Sequence, residues 1–377
     1  MPLGAAFFYL SFNLPIKIWL KDQMTSSKQS YPFYIRYTVG LFGAILTIYA
    51  LVQAKELLIP LAIALVFALL LYPVCKKLES WGVSKGIAAT VAIVLMLAVV
   101  FGMGYLLFLQ LESMGNELPQ LRLRLDEKID SIQDYFEETF GLNHARQTAY
   151  IKQSLNTFFR SGGSLFSTTF TLTAGLFNYL IVVPVSLFFM LYYRQFIKEF
   201  LYKIIKPVQH YKLENILEKS QLVMQDYLVG LFTVIAIVSV LNTIGLYVVG
   251  IKYSLFFGIF VAMLTIIPYV GILLGSLVAV LYALLTTDSL LYPILTAIVF
   301  WVVQILEGNL ITPNIVGSRV QLNPFVAIIG LLIGGMVWGP AGMILSIPFI
   351  AMLKVILDAI PEAKAYGYIL GVPEKKE

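Results

Sequence analysis

Apolar segments of about 20 residues recur along this chain, and each is bounded by charged residues. A helix of about 20 apolar residues is long enough to cross the ~30 Å hydrocarbon core of a bilayer. Of all residues, 59% are hydrophobic and 12% are charged, whereas a soluble domain is about 25% charged. We therefore predict an all-α, polytopic transmembrane helical bundle in a lipid bilayer. The first two-thirds of the chain carries five such segments, at residues 34–53, 56–74, 87–109, 165–192 and 228–250.

The last third of the chain contains two longer apolar stretches, residues 254–286 and 325–357. As a straight helix each would measure about 50 Å, which exceeds the hydrocarbon thickness. Each is either a tilted or kinked span or a re-entrant hairpin of two short arms. With an ordinary span at 290–307 between them, the bundle has about eight membrane segments. Hairpins place Asp288 outside and Arg319 inside, and the positive-inside rule favours that arrangement.

Glycine and proline interrupt both long stretches, and such breaks expose backbone polar groups at mid-membrane depth in transporters. Pro268 frees a carbonyl, Tyr269 offers a hydroxyl, and Gly271 lets the chain turn. The alternative is that the glycines, several of them spaced four apart, serve only close helix packing. The predicted broken-helix residues are Pro268, Gly271, Gly275, Pro313, Gly334, Gly335, Gly339, Pro340 and Gly342.

Two polar inserts separate the spans. Residues 110–163 carry eight acidic and six basic residues, and apolar positions at steps of three and four predict a long amphipathic helix. We expect this net acidic insert to be extracytoplasmic, and the basic amphipathic insert 194–227 to be cytoplasmic. The predicted organisation is 1–33 N-terminal cytoplasmic segment, 34–109 helices 1–3, 110–163 insert, 164–193 helix 4, 194–227 insert, 228–358 core transport region and 359–377 cytoplasmic tail.

The start of the chain is unusual for an inner-membrane protein. Residues 1–23 lack the basic region that opens a signal peptide, and Met24 begins the polar sequence MTSSKQS. We expect either that residues 1–23 are an over-long start or that they form a short interfacial segment. In both cases the N- and C-termini are predicted to be cytoplasmic.

Soluble catalytic and nucleotide-binding motifs are missing from the sequence. It has no G-x-x-x-x-G-K-[ST], H-E-x-x-H or G-x-S-x-G pattern, so we predict neither an enzyme nor any cofactor. His144 and His210 lie in separate segments, and Cys75 is the single cysteine, so no metal site is predicted. The basic residues are dispersed despite the net charge of +5, which excludes nucleic acid as a partner.

Ionisable and amide side chains inside spans are the candidate functional groups, because polar groups at bilayer depth are costly. Glu307 ends the 290–307 span, with Gln304 three residues earlier on the same helix face. Together with Asn309 these side chains could bind a proton or a hydroxylated solute. The alternative for Glu307 is a helix-end carboxylate solvated at the interface. Asn242 lies within the fifth span, where an interhelical hydrogen bond is favoured over ligand contact.

Several of these segments resemble the autoinducer-2 exporter family of bacterial membrane proteins. The similarity covers roughly 35–360 and is most specific in the last third. It is carried by the runs from Asp226-Tyr227-Leu228-Val229-Gly230 to Ile267-Pro268-Tyr269-Val270-Gly271, by Gln304-Ile305-Leu306-Glu307-Gly308-Asn309-Leu310-Ile311-Thr312-Pro313-Asn314, and by Leu322-Asn323-Pro324, Gly339-Pro340-Ala341-Gly342 and Ile347-Pro348.

The resemblance implies a multi-pass transporter of the bacterial cytoplasmic membrane that assembles as a homo-oligomer. Members of that family are linked to export of the quorum-sensing furanone autoinducer-2 and others to sodium/proton antiport. We therefore expect a secondary transporter for a small polar solute, with sodium/proton antiport or a non-transporting scaffold or permease subunit as alternatives. The predicted substrate-binding residues are Tyr269, Gln304, Glu307, Asn309 and Asn242.

Overall fold

The computed structural model describes residues 32–115, 117, 120, 123–124, 127, 173–205, 210–267, 270–317 and 322–372. The chain divides into two compact units, Met1–Ala54 and Lys55–Glu377. The first unit contains α1 (Phe33–Gln53). The helices of the second unit are α2 (Lys55–Ser80), α3 (Lys85–Gly115), α4 (Thr173–Tyr192), α5 (Arg194–Ile204), α6 (His210–Val249), α7 (Ser254–Leu264), α8 (Val270–Thr286), α9 (Leu291–Leu306), α10 (Pro324–Ala359) and α11 (Lys364–Leu370).

Long apolar helices dominate the described part of the chain. Six of them are long and apolar enough to cross a membrane, and the bent pair Tyr179–Tyr192 with Arg194–Ile204 would make a seventh. No extended strand occurs within the described ranges, where Leu322 and Gly371 form an isolated bridge. The predicted polytopic helical bundle is therefore confirmed. The lengths of the apolar runs were sufficient for this prediction, because backbone groups in lipid must be paired within each helix.

Small side chains hold α2, α3 and α4 together. Alanines of α2 and α3 pack against buried leucines of α4, and small residues let membrane helices approach closely. Pro60, Pro73 and Pro184 lie inside α2 and α4 without ending either helix. The buried members of this cluster are Ala64, Ala68, Cys75, Ala89, Ala92, Ile93, Leu187 and Leu191.

The cytoplasmic insert predicted at 194–227 is not a separate element. The chain bends by 66° at the end of α4 into the short helix α5. The following helix, α6, then runs for 40 residues from the polar region directly into the span predicted at 228–250. No glycine or proline occurs between His210 and Val229, so nothing in the sequence ends the helix at the expected boundary.

The 254–286 stretch reverses direction and forms a helical hairpin, α7–α8. A Cβ on Gly271 would overlap the carbonyl of Leu264, and a Cβ on Gly275 would lie 3.0 Å from Val261 Cγ2. These contacts pair residues before and after the turn in reverse order, as antiparallel arms require. The Tyr253 and Tyr282 rings pack edge to face with centroids 5.6 Å apart, so the two open ends of this hairpin meet.

The 325–357 stretch also reverses, because α10 consists of two helical arms that meet at a kink at Gly339. Gly339 has φ 61° and ψ −142°, which is a non-helical conformation that glycine adopts readily. Gly334 packs against Gly342, and a Cβ on Gly335 would lie 2.6 Å from Met343 Cε. The two arms, 324–338 and 340–359, are therefore antiparallel. Both long stretches have the hairpin form that the charge distribution favours.

The two hairpins begin at opposite ends of the second unit. Gly245 of α6 packs against Val299 of α9, and Gly230 packs against Val316, so α6 and the α9 segment are antiparallel. Hairpin α7–α8 starts where α6 finishes, beside Lys252, and we call this the Lys252 end. Hairpin α10 starts after the α9 segment finishes, and we call this the Gly317 end.

Candidate functional site

Glu307 is the centre of a hydrogen-bonded group in the last third of the chain. Its carboxylate accepts a bond from Gln304 Nε2 at 2.8 Å and another from Thr312 Oγ1 at 2.6 Å. All three side chains are half-buried. The predicted pairing of Gln304 with Glu307 is present, and Thr312 is a third member that the sequence reasoning missed.

A widened helical turn brings Thr312 to Glu307. After α9 the chain continues as π-helix over Glu307–Ile311 and again over Pro313–Gly317. In a π-turn the backbone bond joins residues five apart, and Thr312 N–H bonds the Glu307 carbonyl. The hydroxyl of Thr312 is thereby placed beside the carboxylate of the same residue. A helical period of 3.6 gives no indication of this pairing.

Three expectations about this segment differ from the structure. The helix does not end at Glu307, because the π-turns extend it and a span of 26 residues runs over Leu291–Val316. Pro313 begins the second π-turn and so widens the helix without breaking it. Asn309 is exposed and donates to the Ile305 carbonyl at 2.9 Å, so it satisfies its own helix and does not join the carboxylate group.

Glu307 lies well inside this span. At 1.5 Å per residue it is about 24 Å along α9 from Leu291, and two π-helical segments follow it before the helix finishes at Gly317. Within the described ranges no lysine or arginine forms an ion pair with it, and its two hydrogen-bond donors are the neutral side chains of Gln304 and Thr312. Both donors are neutral, so they contact the carboxylate oxygens through hydrogen bonds alone.

Asn242 supplies a second polar group in the interior. It lies on the same face of α6 as Val238 and Leu246, it is 1% exposed, and neither amide atom has a hydrogen-bond partner among the described residues. The interhelical hydrogen bond expected for Asn242 is therefore not formed there. Burying an unpaired amide costs about 1–3 kcal/mol, which makes a packing role a poor explanation for this residue.

The remaining predicted site residues occupy different kinds of position in the structure. Pro268 and Tyr269 lie outside the described residues. The glycines of both hairpins lie where the arms touch, so the close-packing interpretation describes their contacts. Gly339 is the exception, since it forms the reversal itself. Within the described ranges, no group of three or more His, Cys, Asp and Glu side chains could hold a metal ion.

A further polar cluster, at the Lys252 end, was not foreseen. Glu117 forms an ion pair with Lys252 and accepts a bond from the Tyr253 hydroxyl at 3.1 Å and from the Tyr282 hydroxyl at 3.4 Å. The hydrogen bond from Lys252 holds the pKa of Glu117 below its ordinary value. Arg124 donates to the Thr286 carbonyl at 3.3 Å beside a cavity of about 290 Å³.

Glu117 thus ties the start of the 110–163 insert to the open end of hairpin α7–α8. Leu111 and Met114, two apolar positions of the predicted amphipathic pattern, pack on the core of the same hairpin. The rest of that pattern, from Leu118 onward, lies outside the described residues. The sequence separation of 135 residues between Glu117 and Lys252 hides this cluster from any local motif.

The fold and these groups together define a class. Long apolar helices, two hairpins that start from opposite ends, and a span carboxylate with no ion pair among the described residues are features of membrane transport proteins rather than of membrane anchors.

Comparison with known proteins identifies the family. The family model described as AI-2E family transporter matches residues 41–362. Among curated relatives, YrrI of Bacillus subtilis (strain 168), a transport protein by inference, is 26% identical over 313 residues, covering 80% of this chain and 86% of YrrI. The AI-2 transport protein TqsA of Escherichia coli (strain K12) is 22% identical over 320 residues, covering 84% and 90%. The chain belongs to the AI-2E transporter family and is a multi-pass membrane transporter.

Proposed function

We propose that this protein is a secondary transporter that exports a small, hydroxyl-rich polar solute of the autoinducer-2 type. The observation that carries the proposal is the Glu307 group, in which two neutral donors hold a carboxylate inside a membrane span. A neutral hydroxylated solute needs both acceptors and donors. Glu307 offers the first, and the amides of Gln304 and Asn242 offer both. TqsA, a distant relative, carries a name that supports this solute class.

The two hairpins supply the proposed route. Because they start from opposite ends, each can close one side of a site located between their tips, and Gly339 provides a point of bending for α10. Val303 of α9 and Val238 of α6 belong to one buried cluster, so Asn242 and Glu307 each lie about one helical turn from it. We assign Gln304, Glu307, Thr312 and Asn242 to solute binding.

We also propose an orientation in the bacterial cytoplasmic membrane. Lys76, Lys77 and Lys85 lie at or next to the loop between α2 and α3, while the tail after α10 carries Lys364. Basic loops remain in the cytoplasm. The Lys252 end then faces outward, both termini lie inside, and hairpin α7–α8 enters from outside.

A second candidate is sodium/proton antiport, which is favoured because no described residue forms an ion pair with Glu307. The two functions are separated by the variant Glu307→Gln in proteoliposomes, assayed for efflux of the furanone signal and for sodium uptake under a pH gradient. The amide keeps hydrogen-bonding capacity and loses the charge, so solute export should persist and antiport should be lost. Glu218→Gln, which changes an exposed carboxylate of α6, is the matched control.

Two results would contradict these proposals. If purified wild-type protein moved neither the furanone nor sodium, the chain would act as a scaffold or permease subunit. If Glu307→Gln lost both activities while keeping its melting temperature, the carboxylate would have a role common to both cycles or to the conformational change, and the separate assignments would be wrong.

A further inference from the structure

A groove of about 840 Å³ opens at the Gly317 end, away from the proposed transport site. It lies between the start of α3 and the junction of α4 with α5. Its polar lining comes from Ser84, Lys85 and Glu199, and its aromatic lining from Tyr192, Tyr193 and Phe196. Leu107, Leu111 and Met114, near the other end of α3, pack at the Lys252 end, so the groove is separated from that end by most of a 31-residue helix.

This groove sits where the membrane surface should cross the molecule. The span of α4 finishes at Tyr192, and the chain then turns by 66°. Trp81, in the neighbouring loop, is exposed. Tyrosine and tryptophan concentrate at the level of lipid headgroups because one side of each ring is apolar and the other is polar.

Helix α5 has the two faces of an interfacial helix. Arg194, Lys198 and Tyr202 recur every four residues and are bonded to the protein: Arg194 to Glu79, and the other two to Glu214 of α6. The apolar positions that also recur every four residues point away from those partners. They are Phe196, Phe200 and Ile204, which are 67%, 55% and 65% exposed.

The polar groups of the groove carry both signs of charge. Lys85 Nζ donates to Gln195 Oε1 at 2.5 Å, which leaves its remaining N–H bonds and its charge available. The first N–H groups of α3 also lack partners within their helix. Glu199, on the next turn of α5 after Gln195, is exposed, and no described residue pairs with it.

We propose that this groove binds the headgroup of a phospholipid that carries both a phosphate and a primary ammonium, as in phosphatidylethanolamine. The phosphate lies against Lys85, Ser84 and the start of α3. The ammonium lies against Glu199 and the faces of Tyr193 and Phe196.

The occupant follows from the charge of the lining. Lys85 and Glu199 sum to zero, which matches a zwitterion, whereas an anionic headgroup such as that of phosphatidylglycerol has no cation to pair with the Glu199 carboxylate. The acyl chains continue along Ile87 and Val91, apolar residues of α3 that line the same groove and are exposed. A volume of about 840 Å³ lies within the ~300–1,000 Å³ range of small-ligand sites.

The test is native mass spectrometry of the full chain titrated with phosphatidylethanolamine, phosphatidylglycerol or phosphatidylcholine in one detergent. We expect phosphatidylethanolamine to be retained most strongly. Lys85→Gln should weaken its retention about tenfold. Glu199→Gln should weaken phosphatidylethanolamine by a similar factor and leave phosphatidylglycerol unchanged or tighter. Lys212→Gln, an exposed lysine of α6 outside the groove, should change nothing.

A crosslinking measurement on the wild-type protein tests the proposal even if the variants fail to fold. Phosphatidylethanolamine with a photoreactive group near its headgroup should crosslink within 84–91 or 192–199. Preference for phosphatidylglycerol, equal retention of all three lipids, or crosslinks elsewhere would overturn the proposal. Competition by inorganic phosphate at millimolar concentration would identify a general phosphate site and would overturn the lipid assignment as well.

Discussion

At the scale of single residues, Asn242 and Thr296 share one unusual feature, a buried polar side chain that is unpaired within the described ranges. Each is almost fully buried, and neither finds a hydrogen-bond partner for its side chain among the described residues. Asn242 lies one turn from Val238, which shares a buried cluster with Val303, and Val303 lies one turn from Glu307. If a solute completes the amide's hydrogen bonds during transport, the two residues should differ in function while they agree in their effect on stability.

The variant Asn242→Leu removes an unpaired amide at nearly constant volume. We expect the free energy of unfolding to rise by about 1 kcal/mol, and solute efflux from proteoliposomes to fall at least tenfold. Thr296→Val removes an unpaired hydroxyl in the same way and serves as the matched control. It should raise stability by a similar amount and leave efflux unchanged. Equal loss of efflux in both variants would refute the role of Asn242 in binding.

Among the residues around Glu307, the sequence indicates the Gln304 pair because three-residue spacing places both on one face of an α-helix. It does not indicate Thr312, because a five-residue pairing arises only in a π-turn. Asn309 instead donates to the carbonyl of Ile305, four residues earlier in its own helix. Glu117 was out of reach for a different reason, since its partners follow it by 135 residues or more.

At the scale of elements, the pH response of the Glu117 cluster can be stated with its sign. The Lys252 hydrogen bond lowers the pKa of Glu117, and the same bond raises the pKa of Lys252. The stabilisation from Glu117 is complete above the ordinary glutamate pKa and is lost as pH falls through its lowered folded pKa. The stabilisation from Lys252 is complete below the ordinary lysine pKa and is lost as pH rises through its raised one.

The cluster should therefore hold α7–α8 unchanged across the neutral range and release it only in strong acid or strong base. Amide hydrogen exchange at residues 250–253 measures this. In the wild type, the ratio of the observed exchange rate to the intrinsic exchange rate should stay constant from about pH 5 to pH 9. In Glu117→Gln it should be faster at every pH in that window. An unchanged exchange rate in the variant would show that the ion pair does not fasten the hairpin.

The glycine contact in hairpin α10 makes a second prediction at this scale. A Cβ on Gly342 would overlap the Gly334 carbonyl, which is backbone and cannot move aside. Gly342→Ala should lower the unfolding free energy by about 2 kcal/mol or more, measured by thermal melting in detergent. Gly104→Ala is the control, because nothing lies within 4 Å of the added methyl. It should be neutral or stabilising.

The sequence predicted some of the secondary-structure elements and not others. Spans were found from apolar length alone, since lipid requires it. For the two stretches too long for one crossing, the breaks at Gly339-Pro340 and Pro268–Gly271 left two alternatives open, a kinked span or a hairpin, and the charge distribution favoured the hairpin. The continuity of α6 was missed, because composition changes at the membrane surface whereas the helix does not end there.

At the scale of the whole molecule, the opposite starting points of the two hairpins are the feature most exposed to a direct test. Cysteines are introduced at Asp288 and Glu362 after replacement of the buried Cys75 by alanine. In intact cells an impermeant maleimide should label position 288, and position 362 should react only after the membrane is permeabilised. Labelling of both positions from the same side would contradict the proposed arrangement.

The length of α6 has a mechanical consequence. Forty residues form a rod of about 60 Å, and its two ends belong to different environments. Glu214, close to one end, is fastened to α5, whereas Gly245, close to the other, touches α9. A tilt of 10° about the Gly245 contact would displace the His210 end by about 10 Å. A movement of α5, such as one caused by a change in lateral pressure within the leaflet, would therefore tilt α6 and change its packing against α9.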